Sequence, residues 1–281
     1  MRLRGIRRSS NIEDRRRTSG QGGALGGLGI GGVLLVLAIG YFTGIDVTPL
    51  LNGAPTSSSS STPRELSAQE QQAGAFTASV LATTEDVWAD IFPAQVGRDY
   101  RPPVLVLFSG QTASPCGGAS GATGPFYCPA DRKAYLDTEF FATLEQRLGA
   151  RGDFAAAYVV AHEVAHHVQN ELGILGQVHQ ARQSSSQARA NALTVRLELQ
   201  ADCLSGVWAS KVDGLLDPGD IEEALNAARM IGDDHLQRQA GRVPQPHTFT
   251  HGTSEQRARW FATGYDSGQI AACDTFSTDR L

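Results

Sequence analysis

The sequence predicts an α+β domain, mainly helical with a small antiparallel sheet, preceded by one transmembrane helix. Three observations predict it. Residues 22–45, GGALGGLGIGGVLLVLAIGYFTGI, carry no charge and are long enough to cross a bilayer as a helix. Helical periodicity recurs over long segments in the second half of the chain. Strand-like runs are few, short and bounded by turn residues.

The elements follow in order. Residues 1–21 read as an Arg-rich tail. Arg2, Arg4, Arg7, Arg8, Arg15, Arg16 and Arg17 stand against Glu13 and Asp14, a net of +5 over the first 45 residues. The positive-inside rule places this tail in the cytoplasm and everything beyond residue 45 outside, as in a single-pass protein of the cell envelope. A cleaved signal peptide is the competing reading of the apolar run, but no clear A-x-A site follows it. Residues 46–66, which include PTSSSSSTP, cannot bury a core and read as a flexible stalk.

The domain then spans residues 67–281. Ser67 and Glu70 can form a capping box for a helix reaching about Phe92. Residues 104–108, VLVLF, read as a buried strand, and residues 126–128 and 133–136 flank a turn at 129–132. Residues 153–172 form a helix of about five turns, with Asp153 as N-cap and Gly173 just past its end. A second long helix lies within residues 189–210. Asp217-Pro218-Gly219-Asp220 turns into a helix ending near Ile231, and a capping box at Thr253 and Gln256 opens a helix over residues 254–265 that places Trp260 and Phe261 in the core.

Charge and cysteine bound the partners. The total of −5 leaves −10 for the chain beyond residue 45, so the domain has no footprint for nucleic acid and suits polypeptide partners. All four cysteines lie beyond the apolar run. An even number in an oxidising compartment suggests two bridges, of three possible pairings. Cys116 with Cys128 is the local one, closing a Gly-rich loop, which leaves Cys203 with Cys273. No C-x-x-C suggests zinc ligation by these thiols. Nothing in the sequence sets an oligomeric state.

The chemistry concentrates in His162-Glu163-Val164-Ala165-His166. Residues i and i+4 share a helix face, so both imidazoles can reach one Zn²⁺, with Glu163 beside them as a general base. Apolar neighbours at Tyr158, Val159, Ala161, Val164, Ala165 and Val168 suggest that this helix is buried with its polar groups turned into a cleft. A catalytic zinc site takes a third protein ligand. The metzincin third His is excluded because residue 172 is Leu. Glu198 and Asp202 form an i, i+4 pair on the second long helix: Glu198 as ligand with Asp202 accepting a hydrogen bond from a ligand His, or an ordinary acidic face.

GDFAAAYVVAHEVAHHVQ, RLELQADC and FTHGTSEQRARWF, in this order, resemble the bacterial membrane-anchored putative neutral zinc metallopeptidase family, over about residues 75–281 together with the anchor. A more distant similarity runs to the integral-membrane zinc proteases that include the CAAX prenyl protease. That resemblance implies a zincin-like fold, ligands His162, His166 and Glu198, and Asp202 behind them. In that group a T-H-P-x-x-x-x-R element places a His and an Arg in the cleft. Thr250, His251 and Arg257 match it, with Gly252 in place of the Pro, which implies that His251 or Arg257 steadies the oxyanion. The capping box offers another account of the same residues, with Arg257 solvated or paired. Asp233, Asp234 and His235 read as a solvated or capping cluster rather than a second metal site, since their spacing is consecutive. His167, His179 and His247 carry no assigned role.

The implied activity is zinc-dependent endopeptidase hydrolysis, with an extended substrate laid along an edge strand within residues 126–137. The alternative is a non-hydrolytic zinc-bearing binding or scaffold domain of the cell envelope. Against it stands Glu163, since a binding module has no need of a base beside the metal.

Overall fold

The computed structural model describes residues 1–17, 64–120 and 124–281. The expected transmembrane helix over residues 22–45, and the stalk up to residue 63, lie outside the described residues. Among those described, no helix is long and apolar enough to cross a membrane.

Helix α1 (Ala68–Ile91) starts where its sequence says it should. The Ser67 hydroxyl accepts the Glu70 N–H at 3.2 Å, and the Glu70 carboxylate accepts the Ser67 N–H at 2.8 Å, so two of the end donors that a helix leaves unpaired are satisfied. Pro93 ends the regular winding, and Gly97, at φ 76°, takes the left-handed turn that releases the chain toward the sheet.

The main sheet has the strand order β1 (Ile12–Asp14), β2 (Val104–Phe108), β6 (Lys133–Asp137), β5 (Phe126–Cys128). The hairpin of β5 and β6 is antiparallel as expected, in register Tyr127 with Ala134. The rest corrects the expectation of an antiparallel sheet. β1 pairs with β2 in parallel, and β2 with β6 in parallel, because β2 and β6 are joined by a long excursion rather than a tight turn. That excursion carries a separate antiparallel pair, β3 (Gln111–Ser114) with β4 (Gly117–Ser120).

β1 corrects a second expectation. Residues 1–17 do not form a separate tail; they pack against the domain, Ile12 opposite Leu105 and Glu13 2.6 Å from Lys133 Nζ. The Met1 ammonium lies 2.8 Å from Asp153 and 3.2 Å from Asp220, inside an acidic grouping completed by Glu223.

Period-two alternation sorts the strand side chains. Leu105, Leu107, Ala134 and Leu136 face the helices, and Val106, Phe108, Tyr135 and Cys128 form a small cluster on the other face, where Phe126 stacks on Tyr135 at 4.9 Å. The short helix α2 (Phe140–Gln146) leads to α3 (Asp153–Glu171), which is buried along most of its length. Its N-cap is Gly152, at φ 102°, rather than the expected Asp153, which opens the first turn. Gly173, at φ 77°, ends it as expected and starts α4 (Ile174–Gln183).

α5 (Gln187–Lys211) crosses α3 with Trp208 stacked on Phe154 at 5.6 Å. α6 (Asp220–Met230), α7 (Asp233–Gln239) and α8 (Ser254–Ser267) complete the helical layer. α8 opens on the expected Thr253–Gln256 capping box, and Trp260 and Phe261 are buried. α5 and α8 touch backbone to backbone. A Cβ on Gly206 would lie 2.0 Å from the Phe261 carbonyl oxygen, and one on Gly264 1.8 Å from that of Cys203. Both disulfides expected from the cysteine count are present: Cys116–Cys128, and Cys203–Cys273, which ties α5 to the C-terminal segment.

Candidate metal centre

Burial of α3 carries His162, Glu163 and His166 into the interior, and the crossing of α5 brings Glu198 and Asp202 to meet them. His162 Nε2 lies 3.1 Å from Glu198 Oε2, and His166 Nε2 3.6 Å from Glu198 Oε1. One ligand atom from each of these three residues falls within 4.8 Å of the others, a spacing that can hold one metal ion.

The tautomers follow from what sits behind the rings. His166 Nδ1–H donates to Gln169 Oε1 at 2.8 Å, and the Gln169 amide is itself fixed by donating to Leu197 O at 2.7 Å and Gln200 Oε1 at 3.2 Å. His162 Nδ1 lies 2.9 Å from Asp202 Oδ1, close but off the line of a good hydrogen bond. Each ring turns its Nε2 toward Glu198, the nitrogen that each would offer a metal.

Charge agrees with geometry. Burial would lower the His162 imidazole, but the carboxylates of Asp202 and Glu198 beside it outweigh burial and raise its pKa to about 10. Burial also raises the Glu163 carboxyl, and Glu163 Oε2 has no hydrogen-bond partner among the described residues. Such an orphaned buried oxygen is costly unless a proton-bearing group completes it. Two imidazoles with one carboxylate is a donor set that fits Zn²⁺, and a fourth position would remain open.

The residues around this centre depart from expectation, first at Arg257. Arg257 is fully buried and does not face the cleft as an oxyanion donor: its Nε and Nη2 hold Asp202 at 2.8 and 2.9 Å, and Nη1 reaches Ile231 O at 3.3 Å. Tyr158 donates to the same Asp202 carboxylate. Arg257 and Tyr158 therefore fix the carboxylate that faces His162. The paired role raised by the capping reading is the one the geometry carries.

His251 stands differently. Its side chain is about one-third exposed, and its Nδ1 lies 3.3 Å from Asp233 Oδ1. Asp233 is buried, and its Oδ2 accepts the N–H groups of Thr250, His251 and Gly252 at 2.7, 2.6 and 2.9 Å. Against burial, the His251 side chain first and these N–H groups after it hold the Asp233 carboxyl below its ordinary range. Of the two roles expected for this cluster, solvated or capping, Asp233 takes the second: it is buried and holds the His251 loop by its backbone N–H groups. Gly252 has φ 94°, which the proline ring cannot adopt, so the departure from T-H-P reflects a different local turn.

Sequence reasoning missed three supports. Tyr158 and Gln169 were findable, being four residues before His162 and three after His166 on one helix face. Asp233 was not, because its partners lie 17 to 19 residues away. The edge strand β5 packs on the helix that carries the two ligand histidines: Tyr127 OH donates to His167 Nδ1 at 3.0 Å.

The family described as "Putative neutral zinc metallopeptidase" matches residues 1–276. The chain belongs to this family. Its relatives include the uncharacterized protein YpfJ of Escherichia coli (strain K12), 50% identical over 98% of this chain and 99% of that protein. An uncharacterized protein of Mycobacterium tuberculosis (strain H37Rv) is 43% identical over 72% of this chain and 71% of its own length. No solved structure matches. The family match takes in the N-terminal residues that pack on the domain as well as the metal-centre helices.

Proposed function

We propose that the chain is a zinc-dependent endopeptidase of an oxidising compartment, with His162, His166 and Glu198 as the metal ligands. The observation that carries this reading is Glu163 Oε2, buried and unpartnered beside two Nε2 atoms that converge on Glu198. Zn²⁺, when bound, supplies a Lewis acid that polarises a carbonyl and makes water nucleophilic near neutral pH. Glu163 takes the proton of the attacking water and hands it to the leaving amine. Asp202, held by Arg257 and Tyr158, keeps the His162 ring in its ligating orientation, and Gln169 does so for His166.

His251, placed by Asp233, is the polar side chain at the cleft suited to steady the carbonyl oxygen as charge develops on it. An extended peptide adds to the edge of β5 that is unpaired among the described residues, by main-chain hydrogen bonds, which binds many sequences and leaves selectivity to pockets. The Cys116–Cys128 bridge stiffens the end of that strand, and the two disulfides together support an oxidising location.

The test is Glu163→Gln in the full-length protein in detergent, measuring zinc content by mass spectrometry and cleavage of denatured casein. The variant should keep one zinc per chain and lose about 10²–10⁴-fold in rate. Undiminished cleavage by the variant would remove Glu163 as base. Zinc-loaded wild type that cleaves no polypeptide would favour the binding-domain reading instead.

A further inference from the structure

Residues 1–17 enter the fold at several independent points. Ser9 N–H donates to Ala78 O of α1 at 2.9 Å, and Ser9 Oγ and Asn11 Nδ2 both donate to Glu85. The β1 backbone gives and takes hydrogen bonds with β2: Leu105 N–H to Asn11 O at 2.9 Å, Arg15 N–H to Leu107 O at 2.7 Å. Arg7 pairs with Asp86 and Glu85, Arg15 with Glu13, and Arg16 with Asp14.

Arg16 occupies a fitted socket. Its guanidinium is buried, donates to the Glu70 carbonyl and lies over Gly74, where a Cβ would stand 2.4 Å from Nη2. Just beyond it the Arg17 carbonyl accepts the N–H of Arg64 at 3.0 Å. The chain therefore leaves the domain and returns to it at one place.

The uncharged run of residues 22–45 lies between these two points in the sequence. A single crossing would carry its ends about 30 Å apart, onto opposite sides of the bilayer. Arg17 and Arg64 are within hydrogen-bond reach, so one crossing and the docked β1 exclude each other in one folded molecule. The arginines that read as a topological signal also have another use, since Arg7, Arg15 and Arg16 are ion-paired within the domain.

We infer that residues 1–17 lie on the same side of the membrane as the metal centre, as a fixed strand of its domain, and that the segment joining Arg17 to Arg64 begins and ends on that side.

Two measurements on the full-length protein test this. Ser10→Cys and Ser184→Cys each place an exposed thiol, one on the N-terminal segment and one on the helical layer. Treated with a membrane-impermeant maleimide in spheroplasts, with denatured samples defining full labelling, both should react together or both be protected until lysis. Reaction of one with protection of the other overturns the inference. In the second measurement, trypsin should cut at Arg15 at least about 10-fold more slowly in wild type than in Gly74→Leu or Arg16→Ala, which block or empty the socket. Equal rates in all three proteins would show that the segment is not docked, and would overturn the inference as well.

Discussion

His167 shows how one residue can matter without touching the chemistry. It is 1% exposed, its Nε2–H donates to Arg101 O at 2.6 Å, and its Nδ1 accepts from Tyr127, so both ring nitrogens are satisfied in the neutral form. Burial lowers its pKa to about 4. The unfolded chain protonates near 6.5 while the folded one does not, so the stabilisation is complete above 6.5 and is lost as pH falls toward 4. The loss is about 3 kcal/mol. Urea unfolding of wild type and His167→Gln should show the wild type falling more steeply across that window; parallel curves would assign the acid sensitivity elsewhere. The His162-Glu163-His166 constellation was legible because its meaning is local to one helix. His167, one position along, was not, because its partners come from a strand and a loop that only the fold brings near.

At the scale of elements, the crossing of α5 and α8 holds the metal centre's support in place. Gly206 and Gly264 let the two backbones touch, and the same crossing puts Arg257 of α8 against Asp202 of α5. Gly264→Ala would drive a methyl into the Cys203 carbonyl, next in sequence to Asp202. It should cost about 1–3 kcal/mol in unfolding free energy and lower zinc retention on dialysis, because the helix must retreat with Arg257 on it. Unchanged stability and zinc content would mean that the crossing tolerates separation. The helices themselves were readable from capping boxes, periodicity and glycines near their ends. Their crossing was not, since a glycine inside a helical pattern does not say which backbone it admits. The hairpin of β5 and β6 was legible from its turn, whereas the parallel pairings were not, because they join segments with no local signal of contact.

For the whole molecule, β1 decides what counts as the domain. A boundary at residue 67 follows from composition, yet it leaves the apolar β2 as an unpaired edge, the kind of edge that aggregates. A chain beginning at Arg64 should self-associate in size-exclusion chromatography. One in which residues 1–17 are joined to Arg64 by a short Gly-Ser linker should run as a monomer, since Arg17 O and Arg64 N are 3.0 Å apart. Identical behaviour of the two would show that β1 is dispensable. The sequence concealed β1 because Ile12 is the one apolar residue among its three, and its charged neighbours read as a membrane signal.

The pairing of Ile12 with Leu105 also sets a schedule. During synthesis at roughly 5–20 residues per second, β1 emerges roughly 5–20 s before its partner strand exists. The N-terminal residues, strongly basic, must therefore wait unpaired until residues 104–108 have been made. The first strand made is thus not the first to pair, and the edge of the sheet that it covers closes only after a long stretch of chain has followed it.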